Sequence, residues 1–203
     1  MPVLGWATLG VLALYLIALA GLGRLAARAA KRPMWLFGAA RGPDRLAALA
    51  FRAAFALALL GPLTTAAWPG PGPLAQGMPA GLDLAGHLLA VSGAMLAIAA
   101  QASMGASWRV GVQKGATGAL VTGELFDLSR NPTFVGQGAL LAGVALALPS
   151  VLTVLAVLLF ALAAHLQVQS EERTLAAALG ERYRAYLARV PRWLGRPAAG
   201  DPR

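Results

Sequence analysis

Two groups of polar and aromatic residues flank a long apolar stretch in the second half of the chain, and they hold the side chains best suited to chemistry. The first group is Arg130-Asn131-Pro132-Thr133-Phe134-Val135-Gly136. The second group comprises Glu171-Glu172, Tyr183, Tyr186 and Val190-Pro191-Arg192-Trp193. Carboxylates, amides and guanidinium groups at the edge of a membrane segment are costly unless they pair or serve a function. Asn131, Glu171 and Glu172 are therefore the candidate catalytic residues.

Each group taken alone also has a purely structural interpretation. Asn131 followed by Pro132 is typical of a helix N-terminus, where the asparagine caps free backbone N–H groups. The two glutamates fit solvated acids beside arginines, and the aromatic residues fit a membrane interface. The order and spacing of the two groups are harder to produce by chance, and they favour one shared site.

The composition predicts an all-α, multi-pass membrane protein. With 58% hydrophobic and 12% charged residues, the chain is too apolar for an ordinary soluble domain of 203 residues. Cysteine is absent, so thiol nucleophiles and zinc–thiolate sites are excluded, and His87 and His165 are too few for a histidine-rich metal site. The net charge of +9 follows the loops beside apolar spans, so we expect membrane lipids rather than nucleic acid as partners.

The distribution of charge predicts the topology. Apolar runs predict spans over residues 3–23, 46–66 and 82–102. The loop 24–45 carries six basic residues and one acid, whereas residues 67–81 contain neither lysine nor arginine. Because basic loops stay in the cytoplasm, the N-terminus should lie outside the inner cell membrane, with the C-terminus and the candidate site inside.

The apolar stretch between the two polar groups predicts a helical hairpin. Residues 134–168 contain no formal charge, and as one straight helix they would be about 52 Å long against a hydrocarbon core of about 30 Å. Pro149-Ser150 lies near the middle, where proline breaks a helix. Two helices here bring the number of expected spans to five.

The part of the chain after the hairpin predicts a cytoplasmic helix. Residues 170–187 have an amphipathic pattern, and this helix either continues the last span or bends at Gly180. We expect residues 1–100 to form an N-terminal membrane region and residues 101–203 to form the catalytic region.

Further polar residues in the apolar helices have structural interpretations, and some of them have functional ones as well. Arg52 lies about two turns inside the second span, where it either extends to the interface or anchors an anionic substrate group. His87 is near the outer end of the third span and is interpreted as structural. His165, Gln169 and Glu172 share one helix face, which indicates either a polar seam between helices or a general base.

The motifs resemble those of the isoprenylcysteine carboxyl methyltransferases and their phospholipid methyltransferase relatives. The resemblance covers roughly residues 103–194 and rests on five motifs: Leu120-Val121-Thr122-Gly123, Arg130 to Gly136, Glu171-Glu172-Arg173-Thr174-Leu175, Gly180-Glu181-Arg182-Tyr183-Arg184-Ala185-Tyr186 and Val190-Pro191-Arg192. It implies S-adenosylmethionine as cofactor, bound in a cytoplasmic pocket that the C-terminal segment closes. Matched by position, the cofactor-binding residues are Ala119, Leu120, Val121, Phe126, Arg130, Asn131, Pro132, Thr133, Phe134 and Glu171.

Two positions depart from the family pattern. Asn131 stands where many members have histidine, and Gln167 stands where the eukaryotic prenylcysteine enzymes carry a substrate-contacting arginine. Gln167 lies one helical turn before Glu171, and together with Arg52 it is a candidate substrate-binding residue. Since a sulfonium methyl transfer requires no metal, no metal site is expected.

The resemblance therefore implies a membrane methyltransferase that acts on a lipophilic small molecule. Within the same chemistry, the alternatives are a phospholipid N-methyltransferase or a thiol S-methyltransferase. Outside it, the alternatives are an NADPH-dependent reductase similar to sterol reductases and a membrane protein without catalytic activity. The sequence specifies neither the acceptor nor the oligomeric state.

Overall fold

The computed structural model describes residues 3–30, 41–67, 74, 76, 78–104 and 120–195. Within these ranges the chain forms helices and no strand, which confirms the predicted all-α class. The helices are α1 (Val3–Ala30), α2 (Pro43–Ala67), α3 (Leu82–Met104), α4 (Leu125–Leu128), α5 (Pro132–Ala147), α6 (Val151–Leu179) and α7 (Glu181–Arg189).

Four of these helices are long and apolar enough to cross a membrane. They are α1, α2, α3 and α6, and α5 is a shorter apolar helix of 16 residues. At 1.5 Å per residue α5 is about 24 Å long, less than the thickness of a typical hydrocarbon core. The chain is therefore a polytopic helical membrane protein, while the count of five spans and their orientation remain predictions.

The break between α5 and α6 lies at the proline that the sequence marks. α5 ends at Ala147, and α6 begins after Ser150, whose Oγ accepts a hydrogen bond from the Thr153 amide at 3.1 Å. The Thr153 hydroxyl oxygen in turn accepts from the Ser150 amide at 3.0 Å, which completes a capping box. Local chemistry alone therefore divides the uncharged stretch into two helices.

Helices α3 and α5 pack backbone against backbone in antiparallel directions. A Cβ atom placed on Gly93 would lie 2.4 Å from the Leu140 nitrogen, and one on Gly136 would lie 2.5 Å from the Ala97 nitrogen. Gly86 and Gly143 form a similar contact, seven residues before Gly93 in α3 and seven residues after Gly136 in α5. Small residues at this interface let the two helix backbones approach more closely than any side chain would allow.

An aromatic cluster joins the other helices of the bundle. The ring centroids of Phe51 and Phe55 on α2 each lie 6.1 Å from that of Phe160 on α6, and Tyr15 of α1 stacks on Phe55 at 6.0 Å. Phe134 at the start of α5 lies 6.3 Å from Phe160. These contacts connect α1, α2 and α6 to the end of α5 that carries the candidate motif.

The last span continues out of the apolar region, and the chain then turns sharply. α6 extends to Leu179, and Gly180 has a φ of 52°, a conformation that favours glycine. α7 follows directly and buries Tyr183 and Tyr186. Both alternatives for residues 170–187 thus occur, since the span continues as a helix and then bends at Gly180.

Candidate functional site

The segment after α7 returns to the start of α5 and is fixed there by hydrogen bonds to its backbone carbonyls. The Arg130 amide donates to the Pro191 carbonyl at 2.9 Å, and the Asn131 side-chain Nδ2 donates to the Arg192 carbonyl at 2.9 Å. The Ser129 hydroxyl donates to the same Arg192 carbonyl at 3.3 Å. We call these contacts between residues 129–131 and 191–192 the clasp.

Asn131 stands at the N-cap position of α5, but its side chain does not cap the helix. The structure records no side-chain hydrogen bond from Asn131 to the first turn, and its Nδ2 donates to the C-terminal segment instead. The backbone amide of Asn131 donates to Ser129 Oγ at 3.0 Å. The Asn131 side chain therefore acts as a hydrogen-bond donor, whereas a side chain that caps a helix N-terminus acts as an acceptor.

The carboxylate of Glu172 bridges two arginines of the clasp, Arg130 and Arg192. Arg192 donates from Nε and Nη2 to the two carboxylate oxygens at 3.0 and 2.6 Å. Arg130 Nη1 lies 3.2 Å from Glu172 Oε1. The side chains of Arg130 and Glu172 are 10% and 15% exposed, so this is a partly buried network rather than a solvated acid.

Glu172 does not join the seam that its helix face suggested. His165 Nε2 lies 2.9 Å from Gln169 Nε2 on an exposed part of α6. Arg173 donates to the Gln169 carbonyl at 3.2 Å. His165 and Gln169 thus form a separate local pair, and the carboxylate of Glu172 is engaged by the arginines.

Helix α7 is held against α4, the short helix that precedes α5. The Tyr186 hydroxyl donates to the Phe126 carbonyl at 2.7 Å, and the Tyr183 and Tyr186 ring centroids are 6.2 Å apart. The two tyrosines and Val190 form a small apolar cluster with the partly buried residues Leu120, Leu175, Leu179 and Leu187. This cluster connects the loop before α4, the end of α6 and the C-terminal segment.

The pKa values of the two tyrosines of α7 depend on burial and on the charged residues around the site. Burial raises the pKa of Tyr183 well above its usual value of 10, and the negative charges of Glu172 and Glu171 raise it further, whereas Arg130 lowers it. Burial raises the pKa of Tyr186 to about 12, with Arg130 lowering it and Asp127 raising it. Both glutamates and Arg130 therefore act on the same buried ring.

The pKa of Tyr186 leads to a prediction for alkaline solution. The folded pKa of about 12 exceeds the ordinary value of 10, so docking of α7 is fully stabilised below pH 10 and loses stability as the pH rises toward 12. We expect a late tyrosinate absorbance step together with loosening of α7, and Tyr186→Phe should reduce that step by the contribution of one phenol. Titration of Tyr186 near pH 10, as a free phenol, would contradict the docked arrangement.

Several buried polar atoms near the clasp have no hydrogen-bond partner among the described residues. They are Arg130 Nε, Thr133 Oγ1 and Gln167 Oε1, together with Gln101 Oε1 and Gln137 Oε1. An unpaired polar atom in a protein interior is costly, so each one indicates a missing partner. Gln101 lies in the last turn of α3, and Thr133 and Gln137 lie in the first two turns of α5. Arg130 lies two residues before α5, and Gln167 lies in α6, five residues before Glu172.

The structure brings together part of the predicted site. Phe126 and Pro132 are buried, and Leu120, Val121, Thr133, Phe134 and Glu171 are partly buried in the same region. Arg52 is exposed on α2, next to Phe51. Because the ring of Phe51 contacts Phe160 of α6, Arg52 is about 10 Å from Gln167, measured along α6. Ala119 lies outside the described residues.

Sequence reasoning missed Ser129, Tyr15, Gln101 and Gln137. The two glutamines could have been noticed, because an amide in an apolar run is unusual. Ser129 and Tyr15 carried no comparable signal, since their partners are far away in the chain.

The opposite end of the bundle holds different features. Thr8 on α1 shares a 2.9 Å hydrogen bond with His87 Nδ1 on α3, which supports the structural interpretation of His87. An open depression of about 280 Å³ lies there, lined mainly by residues 78–83 and the end of α5. It is separated from the clasp by the length of α5. In the part of the chain that the structure describes, no group of three His, Asp or Glu side chains could hold a metal ion.

One comparison with known proteins gives a match. The family model of the phospholipid methyltransferases matches residues 82–182. The match begins at the first residue of α3 and ends in the first turn of α7, so it includes α4, α5, α6 and the Arg130–Gly136 and Glu171-Glu172 motifs. No curated protein and no solved structure matches the chain significantly.

Proposed function

This chain belongs to the phospholipid methyltransferase family of membrane proteins, and we propose that it transfers a methyl group from S-adenosylmethionine to a lipophilic acceptor. Methyltransferase activity follows from the family, whose members generally use this cofactor. The structural observation that carries the proposal is the clasp, with the unpartnered Arg130 Nε, Thr133 Oγ1 and Gln167 Oε1 beside it.

The residues around the clasp fit the polar and apolar parts of the cofactor. Arg130 Nε is a charged donor suited to a carboxylate, and Thr133 Oγ1 can accept from an ammonium or hydroxyl group. Phe126 and Phe134 are aromatic residues that can cover an adenine. Glu171, whose charge acts on the same buried tyrosine as Glu172, adds a carboxylate for ribose or amino groups.

When bound beside Arg130 and Thr133, S-adenosylmethionine would supply an electrophilic methyl group for transfer to a nucleophilic atom of the acceptor. The protein's part is to orient the two reactants and exclude water. The clasp does both, because it holds the C-terminal segment against the start of α5. Glu172 is engaged by Arg130 and Arg192, so its role is to position the clasp rather than to accept a proton.

The acceptor is expected to be dissolved in the bilayer and to carry a carboxylate, thiol or amine. Gln167 is buried in α6, and we assign it to the acceptor side of the site. Arg52, exposed on α2, remains a candidate for anchoring an anionic substrate group. A phospholipid N-methyltransferase and a thiol S-methyltransferase are the alternatives within this proposal.

Equilibrium binding to the purified protein tests the proposed function. We expect S-adenosylmethionine to bind and NADPH not to compete for the site. Binding of NADPH in place of S-adenosylmethionine would favour the reductase alternative. Binding of neither ligand would favour a membrane protein without catalytic activity.

Glu171→Ala tests the assignment of Glu171 to the cofactor. Losing a charge-assisted hydrogen bond in a partly buried site should weaken S-adenosylmethionine binding by roughly ten- to a hundred-fold. The matched control is Glu181→Ala, because Glu181 is an exposed acid on α7 paired with Arg184. If both variants keep the wild-type affinity, Glu171 does not contact the cofactor.

Asn131→Asp tests the donor role of Asn131. An ionised aspartate cannot donate to the Arg192 carbonyl, so we expect methyl transfer to fall sharply. Thermal stability should be nearly unchanged, because the contacts among α1, α2, α3 and α6 do not include this bond. Asn131→His keeps a donor and should retain appreciable activity. A fully active aspartate variant would remove Asn131 from the site.

A further inference from the structure

A cluster of three buried polar side chains joins α1, α3 and α5. Gln101 Nε2 and Gln137 Nε2 both donate to the Tyr15 hydroxyl oxygen, at 2.9 and 2.6 Å. Tyr15, Gln101 and Gln137 are 1%, 2% and 3% exposed. A single phenol oxygen therefore orients two amide groups that come from helices on either side of it.

Both amide oxygens of this cluster are left without a partner. Gln101 Oε1 and Gln137 Oε1 are buried and make no hydrogen bond to any residue in the described ranges. Two apolar side chains of similar size would fill the same space without this cost. Polar groups retained inside a membrane bundle indicate a function.

The cluster lies at the same level as the predicted cofactor motif. Gly136 of α5 packs against Ala97 of α3, and the helices are antiparallel, so Gln101 is level with Pro132. Thr133, whose Oγ1 is also unpartnered, lies one turn before Gln137 on the same face of α5. Three unpartnered oxygens thus belong to residues within about two helical turns of the clasp.

We propose that Gln101 and Gln137 bind the sulfonium cation of S-adenosylmethionine through their amide oxygens. The two amide oxygens can only accept hydrogen bonds and the Thr133 hydroxyl can also accept, so together they favour a positively charged group in a poorly solvated place. The inference rests on the proposed function, which supplies that cation. We therefore expect the cluster to favour binding of S-adenosylmethionine over binding of S-adenosylhomocysteine, whose sulfur is neutral.

The affinities of both ligands test this assignment. Dissociation constants for S-adenosylmethionine and S-adenosylhomocysteine are measured by calorimetry on the wild type, Gln101→Met and Gln137→Met. We expect affinity for S-adenosylmethionine to fall by about ten-fold in each variant, with little change for S-adenosylhomocysteine. The control Gln169→Met changes an exposed amide of α6 and should leave both constants unchanged.

The possible outcomes separate the inference from the proposed function. An equal loss of affinity for both ligands, or no loss for either, would overturn the sulfonium assignment. Failure of the wild type to bind S-adenosylmethionine would overturn the proposed function itself. If a methionine variant does not fold, Gln101→Glu is measured instead and should increase the preference for S-adenosylmethionine. A decrease in that preference would also overturn the assignment.

Discussion

Replacing Gly136 or Gly143 with alanine should prevent the close packing of α3 against α5 and should strongly destabilise the whole bundle. An added Cβ on Gly136 would lie 2.5 Å from the Ala97 nitrogen and 2.6 Å from the Gly93 carbonyl oxygen. One on Gly143 would lie 2.4 Å from the Ala90 nitrogen. These neighbours are backbone atoms, so no side-chain rotation relieves the contact and the helices must separate.

The expected loss is about 3 kcal/mol for each substitution, at the upper end of the cost of overpacking a core. Gly138→Ala on the same helix is the control, because its Cβ would meet only the Phe160 ring, at 3.5 Å. This control should gain up to about 1 kcal/mol from helix propensity. Thermal unfolding in detergent compares the variants, and equal stability of Gly136→Ala and Gly138→Ala would contradict the close packing.

Replacing Glu172 with glutamine should release the C-terminal segment and abolish most cofactor binding. The substitution keeps the shape of the side chain and removes the charge that Arg130 and Arg192 share. Breaking a buried pair costs about 3–5 kcal/mol. Because Arg192 is 38% exposed, solvent offsets part of this loss, and we expect affinity for S-adenosylmethionine to fall by about a hundred-fold.

The exposed pair on α7 provides the matched control for this prediction. Arg184 and Glu181 are 59% and 83% exposed, so Glu181→Gln should change stability by less than about 1 kcal/mol. Limited digestion with trypsin should cut Glu172→Gln faster after Arg189 and Arg192 than it cuts the control. Identical digestion and affinity in the two variants would show that the shared carboxylate does not hold the clasp.

The parts of the fold that the sequence predicted depend on local chemistry. The first three spans follow from apolar length, and the division of the hairpin follows from Pro149 and Ser150. Gly180 marked the bend before α7 for the same reason. Each of these features is decided by residues within a few positions of one another.

The parts that could not be predicted depend on contacts between distant segments. Asn131 looked like a helix cap because the acceptor of its side chain, the Arg192 carbonyl, lies 61 residues away. The adjacent glutamates could not be distinguished before the arginines beside Glu172 were located. The glycine contacts of α3 and α5 require the register between two helices, which no single segment contains.

The close contact of α3 and α5 also affects how the bundle responds to its surroundings. Because glycines make the closest contacts between α3 and α5, packing these helices immobilises few rotatable side chains and costs little conformational entropy. A thicker or thinner bilayer is then accommodated by tilting the two helices together rather than by changing their separation. Gln101 and Pro132, at the end of the pair nearest the clasp, would keep their relative positions in membranes of different lipid composition.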